Sequence, residues 1–293
     1  MRQEDISCSP LRGSWTMVRG QPMFARVSLA PAIAQRFACS DTTGRFSAAG
    51  ERGERGERGE RGESGDIPEK VVMVHGLGIS GIYMVPAAQR LAPRFSVYAP
   101  DLPGFGRSTG SSRVLDIEEM ASALHAWMRA LGLGRAHFVG NSIGCQVIAH
   151  LAVKHPGCVG RVVFVGPTFD SASRLVVPLL LRALSDSRWE PRSLSRLVVR
   201  DYLSAGPLRL AKTLLYALQD PIEQLLPWVA ATTLVVRGEH DAVVPQGWAR
   251  RVTGLIPHAQ LRVIRGASHA VHYSHPDRFV SIVLPFLQGA DQG

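Results

Sequence analysis

The chain has 293 residues, 45% of them hydrophobic, with a formal net charge of +9 and 4 cysteines. That length supports one large core or two modest domains, and the longest apolar stretch, LVVPLLLRAL at 175–184, contains Arg182 and falls far short of the roughly 18–20 residues of a membrane span. The positive charge is almost all arginine and is scattered, with Lys70, Lys154 and Lys212 the only lysines, so it describes a solvated basic surface and argues against a nucleic-acid groove.

At the start of the chain, Glu4 and Asp5 stand where a secretory leader would be cationic, and no compact apolar segment with a small-residue cleavage site follows, so a cytoplasmic location is expected. Cys8, Cys39, Cys145 and Cys158 form neither a C-x-x-C pair nor a dense framework and read as free thiols. Thr16 and Val18, then Met23, Ala25 and Val27, alternate with polar neighbours on either side of RGQP, which predicts two short strands. Residues 1–29 are therefore a tail and the first strands.

Residues 50–65 read GERGERGERGERGESG, with glycine at every third position. The spacing meets the collagen rule, but the stretch has no proline to preform the polyproline geometry. It is expected to be a disordered, charge-balanced spacer, and 30–69 a surface insertion between strands that costs little stability.

Beyond it, KVVMVHG, FSVYAPD, RAHFVGN, GRVVFVGP, TTLVVRGEHD and AQLRVIRGASH read as strands separated mostly by helical patterns. Apolar strands alternating with amphipathic helices predict an α/β fold: a mostly parallel sheet with helices on both faces. The rhythm breaks at 168–230, where RSLSRLVVRDYL, LRLAKTLLYALQD and SRLVVPLLLRAL have helical spacing. A structureless loop of that length is improbable, so this segment is expected to be an inserted helical cap between two parts of the core, 70–167 and 231–293.

FVGNSIGCQV at 138–147 places one serine between two glycines, where a strand turns into a helix. Such a turn strains the serine backbone, and Gly140 and Gly144 avoid clashes with the adjoining strand and helix. The Ser142 hydroxyl is thereby presented at the sheet's edge, beside helix N-terminal N–H groups able to stabilise a developing oxyanion. A serine hydroxyl needs a base held by an acid. Asp241 in RGEHDAVVP follows one predicted strand and His269 in RGASHAVHYSHP the next, giving the chain order Ser, Asp, His.

With HGLG at 75–78, DLPGFGRS at 101–108, GNSIGC at the elbow, GEHDAVVP and GASHAVHYSHP, residues 16–287 resemble the α/β-hydrolase superfamily. Within it, GNSIG and the cap resemble esterases and the meta-cleavage-product hydrolases, which cut a carbon–carbon bond beside a ketone. The resemblance implies Ser142 as nucleophile, His269 as base and Asp241 as acid, with the backbone N–H groups of Leu77 and Ile143 as the oxyanion hole. It implies no metal or organic cofactor. It also gives His75 the role of ordering the oxyanion loop through a hydrogen bond, and serine at the elbow argues against the dehalogenases and epoxide hydrolases, which use aspartate there.

Two positions have rivals. Asp170, after VVFVGPTF, occupies a place some relatives use for the acid; Asp241 is preferred because GEHDAVVP matches the usual acid loop. His272 and His275 compete with His269, which is preferred because it follows the small residues Ala267 and Ser268. Residues expected around a substrate are His75, Gly76, Tyr83, Met84 and Phe169, with Leu175, Leu179, Trp189, Tyr202 and Tyr216 in or near the cap.

The activity expected is hydrolysis of carboxylic esters of small to medium lipophilic substrates through an acyl-enzyme. Carbon–carbon, lactone or thioester hydrolysis would use the same residues, although the dienoate hydrolases usually carry glycine-proline-glycine where this chain reads HGLGISG. A ligand receptor on the same fold, tethered or oligomerised through the repeat, is the alternative outside catalysis. The partner expected is a small molecule, with no nucleic acid and no stable membrane insertion; the sequence does not determine the oligomeric state.

Overall fold

The computed structural model describes residues 11–29, 70–109, 113–168 and 185–290. The glycine-glutamate-arginine repeat, Cys8, Cys39, Phe169, Asp170, Leu175 and Leu179 lie outside these residues. Eight strands are present: β1 Arg12–Val18, β2 Gln21–Ser28, β3 Lys70–Val74, β4 Ser96–Pro100, β5 Ala136–Asn141, β6 Val159–Val165, β7 Thr233–Gly238 and β8 Ala259–Ile264. The helices are α1 Val85–Leu91, α2 Ile117–Ala130, α3 Ile143–Lys154, α4 Arg192–Ala205, α5 Pro207–Gln219, α6 Ile222–Leu225, α7 Gln246–Leu255, α8 Val271–Ser274 and α9 Pro276–Leu287. None of them is long and apolar enough to cross a membrane.

The strands form one sheet in the order β1-β2-β4-β3-β5-β6-β7-β8. The first two make an antiparallel hairpin closed by Arg19 and Gly20, both at positive φ, the backbone that a two-residue turn between right-twisted strands demands. β2 runs antiparallel to β4, and every later pairing is parallel. Parallel neighbours need crossovers, and the helices between strands supply them.

Alternation along the strands builds two cores. Val72, Val74, Phe138, Val162, Phe164 and Val235 face a core that includes Trp127 of α2, Ile148 of α3 and Trp248 of α7. Their neighbours Val71, Met73, Val139, Val163, Val165 and Val236 face the other, with Leu91 of α1 and Phe279 of α9. Because successive side chains point to opposite faces, strands apolar at every position can only be central ones covered on both sides. α2 starts at a reciprocal cap, in which Asp116 accepts from the Glu119 N–H and Glu119 accepts from the Asp116 N–H, fixing where the helix begins.

The parallel strands share one direction, so their carboxyl ends share one edge. Loops after β3, β5, β6, β7 and β8 therefore meet there. At the opposite edge a cavity of about 580 Å³ opens beside Lys70, Arg135, His137 and Arg161, remote from that meeting point.

Candidate active site

The loop after β5 turns directly into α3 at Ser142, whose φ of 56° and ψ of −121° lie in a region disfavoured for any residue with a side chain. The flanking glycines permit the turn. A Cβ on Gly140 would come within 2.6 Å of Ile148 Cδ1 and 2.8 Å of the Gly144 carbonyl, and one on Gly144 within 2.5 Å of the Val74 oxygen and 2.8 Å of the His75 oxygen. Ser142 N–H donates to the Val165 oxygen at 3.0 Å, which ties the turn to the end of β6. Asn141 reinforces the tie by donating its amide to the same oxygen at 3.2 Å.

After β7, the loop carrying Asp241 is folded around Arg237. This buried guanidinium donates to the carbonyls of Val244 and Asp241 at 2.7 and 2.8 Å, and to those of Gly238 and Glu239 at 2.7 and 3.1 Å. Asp241 Oδ1 accepts the Val244 N–H at 2.8 Å, leaving Oδ2 to meet His269 Nδ1 at 3.0 Å. An ionised carboxylate can only accept, so Nδ1 carries the hydrogen of that bond and Nε2 is left with its lone pair. Gly166 passes close beneath the pair, with a Cβ position 2.8 Å from the His269 ring and 3.0 Å from Asp241 Oδ2.

His269 is subject to opposing effects. Burial lowers its pKa, but the charge and hydrogen bond of Asp241, followed by the charges of Asp186 and Glu190, outweigh it, so the ring binds its proton more tightly than an ordinary histidine. Ser142 Oγ lies 3.5 Å from Thr168 Oγ1, and among the described residues no hydrogen bond joins it to the His269 ring.

His75 is buried, accepts the Leu102 N–H at Nε2 (2.9 Å) and therefore donates Nδ1–H to the Gly76 oxygen, also at 2.9 Å. Burial lowers its pKa, which keeps it neutral in this role. Gly76 sits against the elbow, its Cβ position 3.0 Å from Asn141 Oδ1 and 3.3 Å from Ser142 Cβ. The N–H groups of Leu77 and Ile143 find no acceptor among the described residues. Tyr83 is buried edge-on to His272 at 4.4 Å and stacked on Tyr273, while Met84 lies wholly within the core. Trp189 is half exposed and stacks on His240, and Tyr202 packs against Gly78.

Ser142, Asp241 and His269 thus share one sheet edge, joined there by the loop 75–78. His272 faces Tyr83 and Phe279 instead, with neither ring nitrogen hydrogen-bonded among the described residues, and His275 lies at the start of α9. Four polar residues of this region escape sequence reasoning. Arg237 left a signal, a lone charge at the end of an apolar strand. Asp186, Glu190 and Asp201 left none, because nothing in their spacing distinguishes them from surface acids.

A family model described as "Alpha/beta hydrolase family" matches residues 71–282. The chain is 27% identical over 252 residues to a 2-hydroxy-6-oxo-6-phenylhexa-2,4-dienoate hydrolase of Burkholderia cepacia, covering 75% of this chain and 87% of that one. It is 26% identical over 245 residues to a putative carbamate hydrolase RutD of Caulobacter vibrioides, covering 76% and 91%. Among solved structures, a thermophilic esterase from Thermogutta terrifontis superposes with a TM-score of 0.71 at 20% identity, over 95% of this chain and 98% of that one. From this match, and from the sheet and loops just described, the chain belongs to the alpha/beta hydrolase family of enzymes.

Proposed function

We propose that this hydrolase cleaves carboxylic esters of small to medium lipophilic substrates through an acyl-enzyme on Ser142. The observation that carries the reading is Ser142, strained at φ 56° on the same sheet edge as a His269–Asp241 pair 3.0 Å apart. In this mechanism Ser142 Oγ attacks the ester carbonyl while His269 Nε2 takes its proton, and the tetrahedral oxyanion rests on the N–H groups of Leu77 and Ile143. His269 then returns the proton to the departing alcohol. Water repeats the sequence to release the acid. Asp241 holds the tautomer and stabilises the imidazolium throughout.

An apolar substrate is supported by Tyr202 and Leu210, which pack over the backbone of Gly78 beside the oxyanion loop. These side chains belong to α4 and α5, within the segment we read as the cap. A second reading, carbon–carbon hydrolysis of a dienoate, draws on the 27% identity to the Burkholderia cepacia hydrolase.

The test is turnover of p-nitrophenyl esters of increasing acyl length by the parent and by Ser142→Ala. We expect serine-dependent hydrolysis with an optimum at short to medium chains, and loss of turnover in a variant that still folds, because the alanine removes one small hydroxyl whose contact with Thr168 Oγ1 is as long as 3.5 Å. A Ser142→Ala protein that keeps most of its activity refutes the nucleophile. Turnover of a dienoate ring-cleavage product with none of any ester transfers the assignment to the second reading.

A further inference from the structure

Three carboxylates from the segment between β6 and β7 reach into the loops of the site. Asp186 is buried and takes the His269 N–H at 3.2 and 3.3 Å on its two oxygens, while its Oδ1 also takes the Ala242 N–H at 3.1 Å. It therefore bridges the residue after Asp241 to His269 itself. Glu190 Oε1 takes the Ser268 hydroxyl at 2.6 Å and the Ala270 N–H at 2.8 Å, the residues on either side of His269. Asp201, on α4, takes both the hydroxyl and the N–H of Ser80 at 2.6 and 3.0 Å, where the loop after β3 leaves the site.

The placement is costly unless it serves the loops. Burial raises the pKa of both Asp186 and Glu190, and among the described residues Glu190 Oε2 is buried with no partner. No lysine or arginine is paired with either acid among the described ion pairs, and both are held by N–H and O–H donors of the site loops. Sequential N–H and O–H groups at 268, 269 and 270 all end on these two side chains.

We propose that Asp186 and Glu190 are positioning residues, which clamp the His269 loop to the root of the segment between β6 and β7 and hold the imidazolium in place as it forms. The inference rests on the reading of His269 as the base and adds what sets its position and proton affinity. The segment we read as the cap is then mechanically part of the base. Asp201 does the same for the loop after β3, so two of the loops that meet at the site are hung from one segment. His272 and the Tyr83 packed against it do not compete for that proton: burial and the charge of His269 hold the His272 ring neutral, down to about 3, and burial keeps the Tyr83 phenol protonated.

The deciding experiment titrates the His269 ring by NMR in the parent, Asp186→Asn, Asp186→Ala and Glu190→Gln, with pH profiles of ester hydrolysis alongside. Glu190→Gln keeps an acceptor oxygen for Ser268 and Ala270 but removes the charge. We expect the His269 midpoint to move to lower pH in all three variants, since each loses a negative charge beside the ring. Asp186→Ala should also lose about tenfold or more in kcat at little change in KM, from a displaced base. Glu118→Gln, which removes an exposed carboxylate on α2, should leave both readouts unchanged. Parent-like midpoints in folded Asp186→Asn and Glu190→Gln overturn the proposal. The ring titration needs no turnover, so a parent that hydrolyses no ester refutes the functional reading without deciding this one.

Discussion

Gly144→Ala tests whether the backbone packing around the elbow sets the position of Ser142. The added Cβ would lie 2.5 Å from the Val74 oxygen and 2.8 Å from the His75 oxygen, a shortfall of 0.9 Å against the 3.4 Å where ordinary contact begins. Both obstacles are main chain at the end of β3, and neither can rotate away as a side chain could. Overpacking of this kind costs about 1–3 kcal/mol, from which alanine's greater helix preference over glycine subtracts about 1 kcal/mol. At about 2–4 °C per kcal/mol for a domain of this size, melting falls by only a few degrees. Activity should fall much further, because α3 or the end of β3 must retreat by most of an ångström, and a misplacement of about 1 Å costs on the order of 100-fold. Calorimetry together with kcat/KM on a p-nitrophenyl ester measures both. A variant with parent-like kcat/KM would refute the claim that this contact positions Ser142.

Burial, and then the charge of His269, lowers the His272 pKa from 6.5 to about 3 in the folded chain, so the unfolded chain takes up its proton first as pH falls. Stability from this residue is therefore complete above pH 6.5 and is lost below it, by up to about 1.4 kcal/mol per pH unit toward pH 3. His272→Phe removes that dependence while keeping a ring against Tyr83 and Phe279, so urea melts at pH 7 and pH 4.5 should differ less than in the parent; an equal difference refutes the assignment. Arg237→Lys keeps the charge but replaces a fork reaching four carbonyls with a single ammonium. Each buried carbonyl left unpaired costs about 1–3 kcal/mol, so we expect a lower urea midpoint and reduced turnover from a loosened Asp241 loop, and an unchanged midpoint would show the fork to be dispensable.

Much of the fold was legible because its signals are local. An apolar run such as KVVMVHG reads as a strand covered on both faces, and all six strand-like runs after the repeat became strands of the parallel part of the sheet. The hairpin at the start was readable from alternation about RGQP, and RSLSRLVVRDYL lies in α4 and LRLAKTLLYALQD in α5 up to Gln219, while SRLVVPLLLRAL lies outside the described residues. The elbow was legible for the same reason: two glycines one residue either side of Ser142 are a steric requirement of the turn itself.

By itself, then, the sequence determined the class of sheet, the position of the strained serine and a short list of acids and histidines downstream. What it could not determine was which of them meet, because a hydrogen bond between Asp241 and His269 is a property of two strand ends brought side by side, 28 residues apart in the chain. The separation of His269 from His272 was likewise a tertiary decision. Three residues apart, one ring turns to a carboxylate and the other to Tyr83 and Phe279. Asp186, Glu190 and Asp201 gave no warning at all, since a carboxylate becomes a clamp only when folding brings distant N–H groups to it and removes the water that would otherwise serve both.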